Sequence, residues 1–416
     1  MSTNIPNSKR LVERFLKYVR ISSGSKEGAD RFPSTSEQLE IGKTLVHDLK
    51  EMGLSDASMD EHGYVFATLP GNFPPGRRAP VVGLLAHVDT YPGVSGKDVK
   101  PIVHEDYDGK DIVLPGDPEQ VIRVSENPEL ARYAGKSVIT SDGTTLLGAD
   151  DKAGIAEIME AIACLQAEPD RLRPTVRVGF TPDEEVGNGT AHFDLKRFGA
   201  DFAYTADGSA ADEVEDETFC ADTAIITIKG RDVHPGYAKG KLVNAVRLAS
   251  KFLELVPSGI CAEHTSGREG YLHPTSITGD VSQTKITFIV RDFSVSGLAE
   301  KEKFLRSIAE SLMREIPHSS VELEIKESYR NMKLDLEKNP EIVKRALKAV
   351  EKAGLKPKLT SIRGGTDGSR LSAMGLLTPN VCGGGKNFHS KQEWIAVPVL
   401  EDCTRVLIEL VYSWSE

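Results

Sequence analysis

Apolar side chains recur at helical spacing at Leu11, Phe15, Leu16 and Val19, which predicts a helix over residues 8–21. A second such pattern predicts a helix over residues 36–52. Between Gly63 and Leu69, and again over residues 79–86 (APVVGLLA), short apolar runs are bounded by Gly and Pro. The second is nearly continuous, as a strand buried on both faces requires. Residues 146–166 read as a short strand, a turn and a helix, because Ile155, Ile158, Met159 and Ile162 fall at i, i+3, i+4 and i+7. Further strands are predicted at 175–181 (TVRVGFT) and 202–205. Strands and helices therefore alternate, which predicts an α/β layer.

From Phe219 to about Tyr329 the rhythm changes. A strand (224–229), a helix (242–255), two strands (276–279 and 285–293), a helix (298–316) and a last strand (321–327) follow in the order β-α-β-β-α-β. That order is the ferredoxin-like arrangement. The reading is a discontinuous catalytic domain, residues 1–218 and 331–416, with a mixed sheet flanked by helices. An inserted ferredoxin-like α+β domain would occupy residues 219–330. In the last segment the pattern gives a helix at 340–353, a Gly-rich loop at 363–368, another loop at 383–389 and a closing helix.

Composition narrows the class. The 416 residues carry 51 basic and 62 acidic side chains, a formal net charge of −11. An acidic balance argues against a protein that tracks nucleic-acid phosphates. The opening MSTNIPNSKR is polar and no apolar run approaches the roughly 20 residues needed to span a bilayer, so a cytoplasmic protein without a membrane partner is expected. Five scattered cysteines without CxxC spacing indicate neither a disulfide framework nor a thiolate zinc site. Any metal would have nitrogen and oxygen ligands.

Five sites could supply them. His87 and Asp89 follow the buried run as His-Val-Asp, and i and i+2 in an extended chain face the same way, so Asp89 can orient the imidazole. Asp150 and Asp151 open a helix in GADDKAG; Asp183, Glu184 and Glu185 follow the strand TVRVGFT; Asp207 follows another strand; His389 lies in NFHS. Each alone has an ordinary account, such as a strand-end histidine, first-turn carboxylates favoured by the helix dipole, or a solvated acidic loop. Four of the five, however, occupy positions just beyond predicted strands, where open α/β sheets bind ligands. Two histidines and three carboxylates, one of them shared, would hold two divalent ions about 3.5–4 Å apart, with Zn²⁺ first and Co²⁺ or Mn²⁺ as substitutes. The chain has no HExxH helix, GxSxG elbow, complete GxxxxGK[ST] loop or GxGxxG fingerprint.

The segments AHVDT, LLGADDKAGIAEI, FTPDEEVGNG, DVHPGYAKG, FIVRDF, IRGGTDGSRLSAMG and FHSKQE, spread over almost the whole chain, resemble the peptidase T family. These are tripeptide aminopeptidases among the co-catalytic dizinc metallopeptidases that include glutamate carboxypeptidases and aminoacylases. The resemblance implies that His87, Asp150 and Asp207 hold one zinc and that Asp150, Glu185 and His389 hold the other. It implies Asp89 as the partner of His87, Glu184 as general acid/base, and a cis bond between Asp150 and Asp151. It further implies that the inserted domain, residues 219–330, serves as lid and dimerisation surface. His234, by itself a turn residue before proline, would bind an oxyanion or carboxylate in a homodimer. Arg291 and Arg363 would hold a tripeptide's C-terminal carboxylate, although Asp292 offers Arg291 a structural ion pair. Phe388 stands where the family usually has Tyr, which bears on substrate preference alone.

Two rivals remain open. One keeps the metals and changes the substrate, giving a carboxypeptidase or N-acyl amino-acid deacylase. The other is a metal-stabilised binding dimer without catalysis, against which Glu184 speaks as an acid with no structural use beside a ligand.

Overall fold

The computed structural model describes residues 6–77, 79–315 and 319–416. The chain opens with α1 (Ser8–Val19) and α2 (Glu37–Glu51), then β1 (Ser58–Met59), β2 (Val65–Leu69) and β3 (Val82–His87). Short strands β4 (Ile102–His104), β5 (Ile112–Val113), β6 (Val121–Ile122) and β7 (Val138–Thr140) lead to α3 (Ala149–Ala167). After it come β8 (Val176–Thr181), α4 (Leu195–Phe198), β9 (Phe202–Thr205) and β10 (Glu213–Thr218). The middle of the chain supplies β11 (Cys220–Lys229), α5 (Ala245–Glu254), β12 (Tyr271–Gly279), β13 (Gln283–Asp292), α6 (Val295–Glu315) and β14 (Ser320–Tyr329). The return brings α7 (Lys333–Leu336), α8 (Glu341–Lys352), β15 (Lys358–Ile362), α9 (Asp367–Ala373), β16 (Asn380–Val381), β17 (Trp394–Ala396) and α10 (Val397–Ser413).

Two compact units emerge. The first takes residues up to Asp216, Asp335–Thr360 and Thr366–Glu416; the second takes Glu217–Leu334 and Ser361–Gly365. Glu217 goes with the second because its carboxylate meets Arg268 at 2.5 and 2.8 Å and Asn331 Nδ2 at 3.3 Å.

The first unit is a mixed α/β layer. Its eight-stranded sheet has the order β1-β2-β8-β3-β9-β16-β10-β15. β3 runs parallel to β8 and β9, while β2 is antiparallel to β8. All six residues of β3 are buried, which is why its sequence reads as a continuous apolar run. Helix α3 covers that strand, and α1 and α10 pack on α3. Ile155, Ile158, Met159 and Ile162 of α3 are fully buried. Arg10 and Arg14 of α1 meet the buried Glu160 carboxylate at 2.7 and 2.9 Å, fastening α1 to α3.

The second unit is ferredoxin-like. Its sheet has the order β12-β13-β11-β14 with every neighbouring pair antiparallel. Ala224, Ile226 and Ile228 of β11 alternate inward and are buried with Leu248 and Phe252 of α5 and Leu305 and Leu312 of α6.

Local features differ from the sequence pattern. No strand forms at Leu146–Gly148, because the N–H groups of Leu147 and Gly148 donate to the Glu393 carboxylate, at 2.9 and 2.7 Å, instead of to a ladder. Helix α6 begins at Val295, ahead of the expected Leu298; Ile316, its expected end, lies outside the described residues. Among the described residues no helix is long and apolar enough to cross a membrane.

Candidate metal centre

Register places the centre. In the parallel trio, His87 is level with Thr181 and Leu85 with Thr205. The ends of β3, β8 and β9 therefore lie side by side, and the residues that follow each strand meet at one edge: Asp89, Glu184 with Glu185, and Asp207. Asp150 arrives from the start of α3, and its bond to Asp151 is cis, as the resemblance implies. His389 comes from the loop before β17 with its backbone in the left-handed region (φ 60°).

Five side chains converge. His87, only 2% exposed, has Nε2 2.9 Å from Asp150 Oδ1 and 3.8 Å from Asp207 Oδ1. His389 Nε2 lies 3.3 Å from Asp150 Oδ2 and 2.9 Å from Glu185 Oε2. The two oxygens of Asp150 thus face two different histidines. Ligand atoms of His87, Asp150 and Glu185 all lie within 4.8 Å of one another, and so do those of His87, Asp151 and Asp207.

Crowding of negative charge sets the proton affinities. Burial works against a proton on His87, but the carboxylates of Asp150, Asp89 and Asp207 outweigh it and push the imidazole well above its usual value. His389 is pushed to about 10 by Asp150 and Glu185 against the effect of burial. Burial, then Asp150, raises the Glu185 carboxyl to about 7. Burial, then Asp151, holds Asp207 well above the ordinary carboxyl range. Asp150 is buried too, yet hydrogen bonds from His389 and His87 keep its carboxyl low. A nitrogen and oxygen donor set with surplus negative charge fits divalent cations of borderline hardness.

Glu184 and Asp89 form the next layer. Burial, with Asp367, Glu185 and Asp89 nearby, pushes the Glu184 carboxyl well up. Asp89 is fully buried and its carboxylate accepts the N–H groups of Glu184 and Glu185, at 3.0 and 3.1 Å. Toward His87 Nδ1 the nearer atom is the Asp89 main-chain oxygen at 3.1 Å, with Oδ1 at 3.4 Å. Asp89 therefore stands between the histidine and the acidic loop, its main-chain oxygen toward His87 and its carboxylate on the loop's N–H groups.

Residues that the sequence pattern left without a role complete the scaffold. Asp151 accepts the His87 N–H at 3.1 Å and the Gly154 N–H at 3.2 Å, so it props strand end against helix start. Glu393 gathers the N–H groups of Leu147, Gly148 and Asp150. Asp183, in the left-handed region (φ 58°), accepts from Ser34 N–H at 2.6 Å and Gln38 Nε2 at 2.7 Å, fixing the residue before Glu184. Tyr91 stacks on His389, ring centroids 4.1 Å apart and planes 3° apart.

The remaining candidates belong to the second unit. His234 is exposed, accepts the Gly236 N–H at 3.1 Å and lies beside Tyr237. Arg291 donates to the main-chain oxygens of Asp222 and Val290 and lies over the Tyr329 ring. Arg363 donates to the oxygens of Gly267 and Glu269 and lies over Phe219 and Tyr271. All five cysteines are free and buried; Cys382 and Cys403 nonetheless share one buried cluster with Glu157, a proximity that linear spacing does not reveal.

Comparison with known proteins gives a consistent picture. Residues 134–413 match peptidase family M20/M25/M40. Peptidase T of Clostridium acetobutylicum is 45% identical over 98% of this chain and 100% of its own length. Peptidase T of Bacillus subtilis is 46% identical over 98% of this chain and 99% of its own. Among solved structures, aminopeptidase PepT from Bacillus cereus matches with a TM-score of 0.75 at 23% identity, covering 99% of this chain and all of the other. A dinuclear metal-binding peptidase of the M20 family from Bacillus subtilis matches with a TM-score of 0.64 at 15% identity, covering 97% of each chain.

Proposed function

Since the chain belongs to peptidase family M20/M25/M40, a family of hydrolases, we propose that it is an aminopeptidase releasing the N-terminal residue of tripeptides. The observation that most supports a two-metal centre is Asp150, whose carboxylate oxygens face His87 and His389 at 2.9 and 3.3 Å, as a shared ligand must. His87, Asp150 and Asp207 would hold one cation, and Asp150, Glu185 and His389 the other. Zn²⁺ is the ion assigned, two per chain, with Co²⁺ or Mn²⁺ as substitutes. The dinuclear relative from Bacillus subtilis supports the count. When bound, the pair supplies a water of lowered pKa and positive charge for the oxyanion that develops at the scissile carbonyl.

The chain's own groups do the rest. Asp89 orients His87 and holds the main chain of Glu184 and Glu185, which fixes where the Glu184 carboxylate can point. Glu184 takes a proton from the attacking water at a carboxylate oxygen and delivers it to the departing amine nitrogen. In the second unit His234 is assigned to binding an oxyanion or carboxylate in a homodimer. Arg291 and Arg363 are assigned to the C-terminal carboxylate, which would make peptide length a measured quantity. Equal turnover of di-, tri- and pentapeptides would remove that assignment.

Glu184→Gln tests the base. Turnover of a tripeptide should fall at least about 100-fold while metal content, by elemental analysis, is unchanged. Undiminished turnover would place the base elsewhere. Substrate class is tested with free, N-acetylated and C-amidated tripeptides: an aminopeptidase requires the free amine, and cleavage of the N-acetylated peptide would favour a deacylase or carboxypeptidase instead.

A further inference from the structure

The two histidines of the metal centre are held in different ways. His87 ends β3, is buried, and turns its second ring nitrogen, Nδ1, toward the Asp89 main-chain oxygen at 3.1 Å. An outer hydrogen bond of that kind ordinarily fixes a ligating imidazole. His389 lacks one. Its side chain is 43% exposed, its backbone lies in a loop at φ 60°, and its Nδ1 has no hydrogen-bond partner among the described residues. The polar contacts of its ring, to Asp150 Oδ2 and Glu185 Oε2, are made by Nε2, the atom that would ligate an ion. A bound cation takes over that atom, so those contacts are not what would aim the ring.

Tyr91 supplies the missing support. Its ring covers one face of the His389 imidazole, centroids 4.1 Å apart and planes 3° apart. The phenol is itself well placed. Thr90, the residue before it, is bridged to Gly24 as in a parallel pair: the Thr90 N–H donates to the Ser23 oxygen at 3.2 Å and the Ser25 N–H to the Thr90 oxygen at 3.1 Å. Beyond Pro92, Gly93 leaves the ring its room, because a Cβ there would collide with Cε1, Cζ and Oη of Tyr91.

We propose that Tyr91 is a positioning residue of the metal centre: its ring face stands in for the outer hydrogen bond and holds the His389 imidazole in the orientation that ligates the second cation. The inference rests on the two-metal reading above. An exposed loop side chain loses rotamer freedom when it ligates, and a ring already stacked has less to lose. The electron-rich face also attracts an imidazole made more positive by a bound dication. The role belongs to the ring and not to the hydroxyl.

The test is a competition for Zn²⁺ between a chromophoric chelator and the metal-free chain, which resolves the affinities of the two ions. Tyr91→Leu, which keeps apolar bulk without a ring face, should weaken one ion about 3- to 10-fold, the scale of one aromatic pair, and leave the other within about twofold. Tyr91→Met serves as a second ringless variant on which the same outcomes are read. Tyr91→Phe should keep both affinities within about twofold. In a His389→Ala background, Tyr91→Leu should leave the remaining ion unchanged, since the cycle isolates the coupling between the two rings. Unchanged affinities in the ringless variants, an equal loss at both ions, or a loss that persists in His389→Ala would overturn the proposal. A loss in Tyr91→Phe as large as in Tyr91→Leu would overturn it too, by assigning the effect to the hydroxyl. If the unaltered chain binds fewer than two Zn²⁺, the two-metal reading fails first and takes this one with it.

Discussion

The Asp89 carboxylate accepts two main-chain N–H groups from the acidic loop while standing 3.4 Å from the His87 imidazole. Replacing it by Asn keeps the shape but turns one acceptor into a donor facing an N–H. Asp89→Asn should weaken zinc binding about 10- to 100-fold in a chelator competition, and unchanged affinity would remove its orienting role. A residue away from the centre offers a check by pH. Burial raises the carboxyl of Glu215, on β10, to about 7 despite hydrogen bonds from Ser209. A raised folded-state pKa gives stability that is complete below about 4.5 and lost as pH rises through about 7. Glu215→Gln, which mimics the protonated acid, should match the unaltered chain in urea unfolding at pH 4. At pH 8 it should exceed it by up to about 3 kcal/mol; equal stability at both pH values would contradict the assignment. At this scale the gathering of His87, Asp150, Glu185, Asp207 and His389 was legible only jointly, from the placement of most of them beyond strand ends and from the family resemblance, since each alone has an ordinary account. Asp151, Asp183 and Glu393 were not, since a buried acid that serves main-chain N–H groups carries no period and no spacing.

Among the elements, the parallel trio β3, β8 and β9 does the positioning, with α3 laid against it. Gly154 marks how close that approach is, for a Cβ there would overlap the main-chain oxygen of Ala206 and crowd Asp151 Oδ1. Gly154→Ala should destabilise the chain by about 1–3 kcal/mol in urea unfolding and loosen zinc binding, by moving the start of α3 away from the end of β9. An unshifted midpoint would show that the contact relaxes freely. Long elements were readable from period and apolar content: α1, α2, α8, β13 and β14 begin and end within two residues of their predicted spans, while β11 and β12 begin four and five residues before theirs. The strands β4 to β7 escaped because two or three residues hold too little pattern to register. At Leu146 an apolar run imitated a strand whose N–H groups are in fact taken by a distant carboxylate.

For the molecule as a whole, the same physics accounts for both units: an apolar sheet covered by helices, and a four-stranded antiparallel sheet covered by α5 and α6. Alternation of strand and helix was enough to read the two architectures, because it follows from which faces must be buried. The sharing of Asp150 was implied only by the resemblance, since no linear pattern tells that one carboxylate looks at two histidines. The direct test is an anomalous-scattering difference map at the zinc edge from crystals of the zinc-loaded chain. Two peaks should appear, one within coordination distance of His87, Asp150 and Asp207 and the other of Asp150, Glu185 and His389. A single peak, or peaks that leave Asp150 or either histidine unbound, would contradict the account.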